Sequence, residues 1–237
     1  MTGPTALELL WGATQRPRRG PKPSLSLERI VAEAVALADA DGLAAVSMQR
    51  LAERLGCAKM ALYRYVPGKA ELTALMLDTA LGAPPAPHTA ASDPEPWRAA
   101  LREWATTIDE RYRAHPWSIE LTPGVRPLGP NELGWMEAAL TALAGTGLTG
   151  AERLDTVVLL TGHVRSLVQQ TRASSPQEAE DELARQVGAV MAEHAERFPE
   201  VVAAFADSGP DDSNAALEYG IERILDGVAA LIARRAG

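Results

Sequence analysis

The chain has little cysteine, no long apolar run and no trace of strand patterning, and each shortage excludes something. A single cysteine, Cys57, stands in 237 residues, so no disulfide can close within the chain, which suits a reducing compartment. Charged residues interrupt every apolar stretch, so no membrane span is expected. The apolar patch Leu7–Trp11 is too short for a signal-peptide core and no basic segment precedes it, so no leader is expected either. A cytoplasmic location is the expectation. Period-two alternation is missing, as is any internal repeat. The four histidines, His88, His115, His163 and His194, form no i, i+4 pair and have no cysteine beside them, so no metal site is expected. Neither a Gly-x-Ser-x-Gly elbow, a phosphate loop nor a dinucleotide fingerprint occurs. Catalytic residues and cofactors are therefore not expected.

Charge is short in one sign only over part of the chain. The net charge is −8, yet Arg16 to Leu72 holds ten Lys/Arg against six acids. With +4 in that stretch and −1 from Glu8, the remainder carries −11. A basic head on an acidic body fits local phosphate binding, with the body repelled from nucleic acid.

Helical periodicity supplies the rest, which makes the chain all-α. Residues 1–23 read as a flexible basic arm, with Gly, Pro and the cluster Arg16, Arg18, Arg19 and Lys22. Residues 24–82 read as four helices. The first runs from about Leu27 to Ala40 behind the N-cap Ser26, and the second opens at Ser47 and stops at Gly56. A short third spans Ala58 to Tyr65, and a fourth spans Lys69 to Leu81. Five prolines within residues 83–96 mark a linker, since proline blocks helix continuation. Residues 97–237 read as a helical bundle. Its stripes begin with Trp97, Leu101, Trp104, Ile108 and Tyr112, and continue with Leu133, Met136, Leu140 and Leu143. Capping boxes at Thr149–Glu152 and Ser175–Glu178 open two further helices, and a last helix covers about Ser213 to Arg235.

The segment Ser47 to Val66 carries the functional signal. Two short amphipathic helices meet at Gly56, the geometry of a helix-turn-helix. Such a turn sends the second helix into a major groove while the first braces the backbone. The second helix mixes a core residue, Leu62, with Lys59, Met60, Tyr63, Arg64 and Tyr65 on faces expected to be exposed. Bases and aromatics make an odd solvent face and a good groove face. A plain helical hairpin is the bland alternative.

Ala44 to Leu75 resembles the DNA-binding domain of the tetracycline-repressor (TetR) family. The likeness lies in Leu51-Ala52, Leu55-Gly56, Ala61-Leu62-Tyr63-Arg64-Tyr65-Val66 and Lys69-x-Glu71-Leu72. Trp97-Arg98, Arg113-Ala-His-Pro-Trp117, Gly124-Val-Arg-Pro127 and Pro130-Asn-Glu-Leu133 are similar to the C-terminal domain of the tetracycline-repressor subgroup. The resemblance implies a dimeric regulator of a pseudo-palindromic DNA operator, released by a small effector. It implies base-edge contacts from Lys59, Met60, Arg64 and Gln49, and phosphate contacts from Ser47, Tyr63, Tyr65 and Lys69. Cys57 takes the place of a small aliphatic and reads as packing, with a redox switch as the alternative. The namesake repressor holds its magnesium–tetracycline chelate with a histidine where this chain has Thr122. That departure argues against tetracycline itself.

Within the body, Trp97, Trp104, Trp135 and Met136 are candidates for an apolar pocket wall, or else plain core. Thr122, Arg126, His163 and Gln169 could orient a ligand there. His163 reads equally as a core or interface histidine. Ala216, Gly220, Gly227 and Ala230 give the last helix a small-residue face for a two-fold contact. An all-helical enzyme or binding protein for an apolar molecule is the runner-up reading. A nucleoid-type architectural protein is the third.

Overall fold

The computed structural model describes residues 3–12, 25–86, 95–170, 182, 185–188, 190, 194–207 and 216–236. These form helices and their connections, with no strand among the described residues. The chain divides into two compact units, Met1–Ala144 and Gly145–Gly237.

In the first unit, α1 (Ala6–Leu10) opens with a capping box: the Thr5 side chain accepts from Glu8 N, and the Glu8 carboxylate accepts from Thr5 N at 2.8 Å. For residues 3–12 this corrects the expectation of a flexible arm over residues 1–23. Leu9 and Leu10 are buried, and burial of two leucines holds so short a helix where propensity alone would not. The basic cluster Arg16 to Lys22 lies outside the described residues.

Next come α2 (Leu27–Asp41), capped by the Ser26 hydroxyl, and a short 3₁₀ turn, Leu43–Ala45. Then follow α3 (Met48–Leu55), α4 (Lys59–Leu62) and α5 (Lys69–Leu81). Ile30, Leu37, Leu51, Leu62, Leu72 and Met76 are its fully buried centre. Each contributes roughly 1.5–3 kcal/mol by leaving water. Leu9, Leu10 and Trp117 belong to the same core.

Behind this head lie α6 (Pro96–Ala114), a 3₁₀ turn, Pro116–Leu121, and α7 (Pro130–Ala142). Trp104 donates its indole N–H to Trp135 O at 2.8 Å, and Trp135 donates to Gly82 O at 2.9 Å. The two rings meet edge to face with centroids 5.7 Å apart. Both buried indoles are thus satisfied while filling the space between α6 and α7.

In the second unit, α8 (Gly150–Gln170) opens on the expected Thr149–Glu152 capping box. The Thr149 backbone N–H and Arg235 hold the Glu152 carboxyl down to about 2. A 3₁₀ turn (Ala195–Arg197), α9 (Pro199–Asp207) and α10 (Ala216–Ala236) follow. Val157, Leu160, Val164 and Val168 of α8 and Ile221, Leu225 and Val228 of α10 are buried where the two helices pack together. The capping box expected at Ser175–Glu178 lies outside the described residues.

Candidate functional site

Gly56 makes the turn of the helix-turn-helix. Its φ of 65° and ψ of 34° are left-handed, a conformation that costs other residues because of their Cβ. Ser47 caps α3, its hydroxyl accepting from Arg50 N at 3.2 Å. The fully buried Leu51 and Leu62 anchor α3 and α4 to the head, and Leu55 and Cys57 pack against the same core. With its inner side fixed, α4 turns the remainder outward. Met60 is 73% exposed, and Lys59 and Arg64 are exposed beside it.

Two head arginines are already engaged: Arg50 with Asp41 at 2.7 Å, and Arg54 with Glu33. Lys59, Arg64 and Lys69 have no ion-pair partner among the described residues. Gln49, exposed, donates to Glu53 at 2.7 Å. Tyr63 and Tyr65 are half-buried against the core, which corrects the expectation that both are exposed. Tyr65 donates its single hydroxyl proton to Leu25 O at 2.9 Å, tying the end of the reading segment to the chain before α2. A phosphate offers only acceptors, so this bond competes with the phosphate role carried over for Tyr65.

Of the candidate ligand residues, Trp97 and Trp104 line one cavity of about 240 Å³, together with Ala100, Ala138 and Thr141. Trp135 backs Trp104, and Met136 is half-buried on the same helix. Thr122 donates to Ile119 O at 2.9 Å, and Arg126 forms a two-pronged ion pair with Glu132 that raises its own affinity for a proton. Neither lines that cavity. His163 belongs to the second unit, with Nε2 3.2 Å from Leu217 O, and Gln169 there is exposed.

Ala216, Gly227 and Ala230 are exposed on α10. Gly220 is not available in the same way: a Cβ at this position would collide with the His163 ring, so its missing side chain is used inside the unit. Sequence reading singled out both residues without seeing that they meet.

Sequence reading missed three contacts in the first unit. The Asp39 carboxylate on α2 accepts from Trp117 Nε1 at 2.6 Å and lies 2.8 Å from His115 Nδ1. Asp78, buried in α5, meets α7 through Glu132 and Asn131. The third is α1, which did have a signal, since Thr5-Ala-Leu-Glu8 is itself a capping box.

An all-helical chain whose head presents a short, base-bearing helix across a glycine turn is a DNA-binding regulator. Comparison with known proteins gives the family. The sequence model described as "Bacterial regulatory proteins, tetR family" matches residues 30–76, and "Tetracyclin repressor-like, C-terminal domain" matches residues 90–232. The chain belongs to the TetR family of transcriptional regulators and is not an enzyme. It is 38% identical to the HTH-type transcriptional repressor DrrR1 of Streptomyces coeruleorubidus, over 98% of this chain and 87% of the relative. It is 24% identical to the class C tetracycline repressor of Escherichia coli, over 86% of this chain and 90% of the relative. Among solved structures, ActR of Streptomyces coelicolor in complex with actinorhodin is similar. The TM-score is 0.74 and the identity 28%, over 90% of this chain and 99% of that one.

Proposed function

We propose that the protein is a homodimeric, cytoplasmic repressor that holds a pseudo-palindromic operator and releases it when a small, mainly apolar molecule enters the body. One observation carries the DNA half of this reading: Lys59 and Met60 stand exposed on a helix whose inner residue, Leu62, is fully buried, and Arg64 stands exposed in the turn that follows it. A rigid base with long exposed side chains is what base reading in a major groove requires. Lys59, Met60 and Arg64 would read bases, with Gln49 beside them. Ser47, Tyr63 and Lys69 would hold phosphates, and the cluster Arg16 to Lys22 would follow the backbone. The functional division we propose is head 24–82, with α1 packed on it, linker 83–96 and body 97–237.

The dimer would form through α8 and α10. Each carries exposed apolar residues, Leu154, Val158 and Leu159 on one and Tyr219 on the other, beside the small Gly227 and Ala230. A face of this kind can meet its own copy across a two-fold axis.

Support for the effector comes from the cavity lined by Trp97, Trp104 and alanines, where the Trp104 indole N–H is already bonded to Trp135 O and Glu103 and Thr141 are the polar side chains. For release, the effector must prefer a head position that does not fit DNA. The lever would be α5, which packs on α2 and reaches α7 at its far end. A coupling of about 1–3 kcal/mol is typical of such a switch.

Selecting duplexes from a randomised pool tests the reading. We expect a two-fold related consensus bound by a dimer. A protein that retains no duplex above a scrambled control overturns it. Actinorhodin, which the ActR structure contains, is the first effector to titrate. By linkage, any effector must bind less tightly, by the same factor, when the selected duplex is present.

A further inference from the structure

The helix α1 precedes both segments matched by the family, which begin at residues 30 and 90. Yet residues 3–11 touch three parts of the first unit at once. At one end, a Cβ on Gly3 would stand 2.8 Å from the Pro67 ring, immediately after the reading segment. In the middle, Leu9 and Leu10 are buried in the head core, where α1 packs along α5. At the other end, Trp11 donates its indole N–H to Leu128 O at 3.1 Å. Leu128 lies between Arg126, which is paired to Glu132, and Gly129, which is pressed against Asp78 of α5.

We infer that residues 3–11 are a strap that couples the 122–129 loop to the reading head, with Trp11 as its positioning residue on the loop side. The physical case is one of stiffness. A helix held by two buried leucines and a reciprocal capping box moves with the head core, not with the loop. The Trp11 N–H ties it to the loop by a hydrogen bond, so a shift of the loop either breaks that bond or drags α1 and the core with it. A half-exposed Trp is also costly as decoration, since its ring gains little from burial there. Its engaged N–H gives the residue a function that its ring does not.

The inference deepens the regulator reading and rests on it, but its test needs no effector. Coupling is reciprocal, so binding of DNA at the head must change the opening of the loop. Amide hydrogen exchange of residues 124–131 is to be measured on the full chain, free and bound to the duplex that the wild type selects. In the wild type, we expect duplex binding to change exchange in this segment by several-fold. In Trp11→Phe, which keeps a ring and loses the donor, the free protein should exchange there roughly five-fold faster, the opening cost of about one hydrogen bond. The same variant should lose the response to DNA while keeping its melting temperature within about 2 °C. Deleting residues 1–12 should abolish the response as well, and Trp11→Phe decides the case if that deletion unfolds the head. A DNA response that persists in Trp11→Phe overturns the strap, and so does a wild type without one. If the wild type selects no duplex, the DNA-binding reading fails by itself. The strap is then judged on the free protein, where equal exchange in wild type and Trp11→Phe overturns it.

Discussion

The carboxylate of Asp78, near the end of α5, accepts the backbone N–H of Glu132 in the first turn of α7 at 3.1 Å. The helix α7 has no side-chain cap of its own, because Gly129 occupies the N-cap and Pro130 follows. Asp78 supplies the missing acceptor from another helix, and its backbone oxygen takes the Asn131 side-chain N–H at 2.9 Å. Gly129 makes the approach possible, since a Cβ there would overlap the Asp78 carboxylate.

Burial raises the Asp78 carboxyl above its ordinary value, against the opposing pull of the Glu132 and Asn131 hydrogen bonds and of Arg126. The folded state therefore favours the protonated acid. That gain is full below the unfolded value of about 3.9 and is lost as pH rises through the raised one. Asp78→Asn keeps an acceptor and removes the titration. The melting temperature of the wild type minus that of the variant should be highest near pH 3.5 and fall towards neutrality. A difference that is flat across this range, measured by calorimetry, contradicts the assignment.

Specificity should reside in α4 and the residues just after it. Lys59→Ala and Arg64→Ala should each cost about 1–3 kcal/mol on the selected duplex and relax base preference nearby. Lys69→Ala should weaken all duplexes alike and lower the salt slope by about one. Fluorescence anisotropy at several salt concentrations separates the two patterns.

Trp117 ties the body side of the first unit into the head core. Trp117→Ala should destabilise the protein by about 3–5 kcal/mol through the cavity it leaves. Trp117→Phe keeps most of the apolar contact and loses the bond to Asp39, at about 0.5–1.5 kcal/mol. Urea unfolding gives both values, and a cost near zero for Trp117→Phe would show that the indole N–H contributes nothing.

Gly220 and His163 should behave as one unit. Gly220→Ala must displace the imidazole ring, at about 1–3 kcal/mol. In the double variant with His163→Ala, most of that cost should disappear. A double-mutant cycle with no coupling energy would place the strain elsewhere.

The dimer contact is exposed to a simple disruption. Val158, 67% exposed on α8, should become a buried residue when two copies meet. Val158→Asp would place a carboxylate in that contact, at roughly 2 kcal/mol or more, about thirty-fold in the dimer dissociation constant. Sedimentation or light scattering reads this directly.

Local chemistry determined much of this protein. Caps at Ser26, Ser47 and Thr149, stops at Gly42, Gly56 and Gly82, and apolar spacing in α2, α5, α8 and α10 are properties of neighbouring residues. They act within one or two helical turns, so the helices and the helix-turn-helix could be read directly from the sequence. The candidates Lys59, Met60 and Arg64 were legible for the same reason, because a helix four residues long with Leu62 inside has few other ways to face. Only tertiary structure decided what distant residues do to one another. Asp39 and Trp117 lie 78 residues apart, Asp78 and Glu132 lie 54 apart, and Trp11 and Leu128 lie 117 apart. Each is a polar group whose partner is chosen by how distant segments pack, and for the buried Asp78 an unpartnered choice would be costly. Gly220 shows the same division: its small size is written in the sequence, but packing gave the space it leaves to His163.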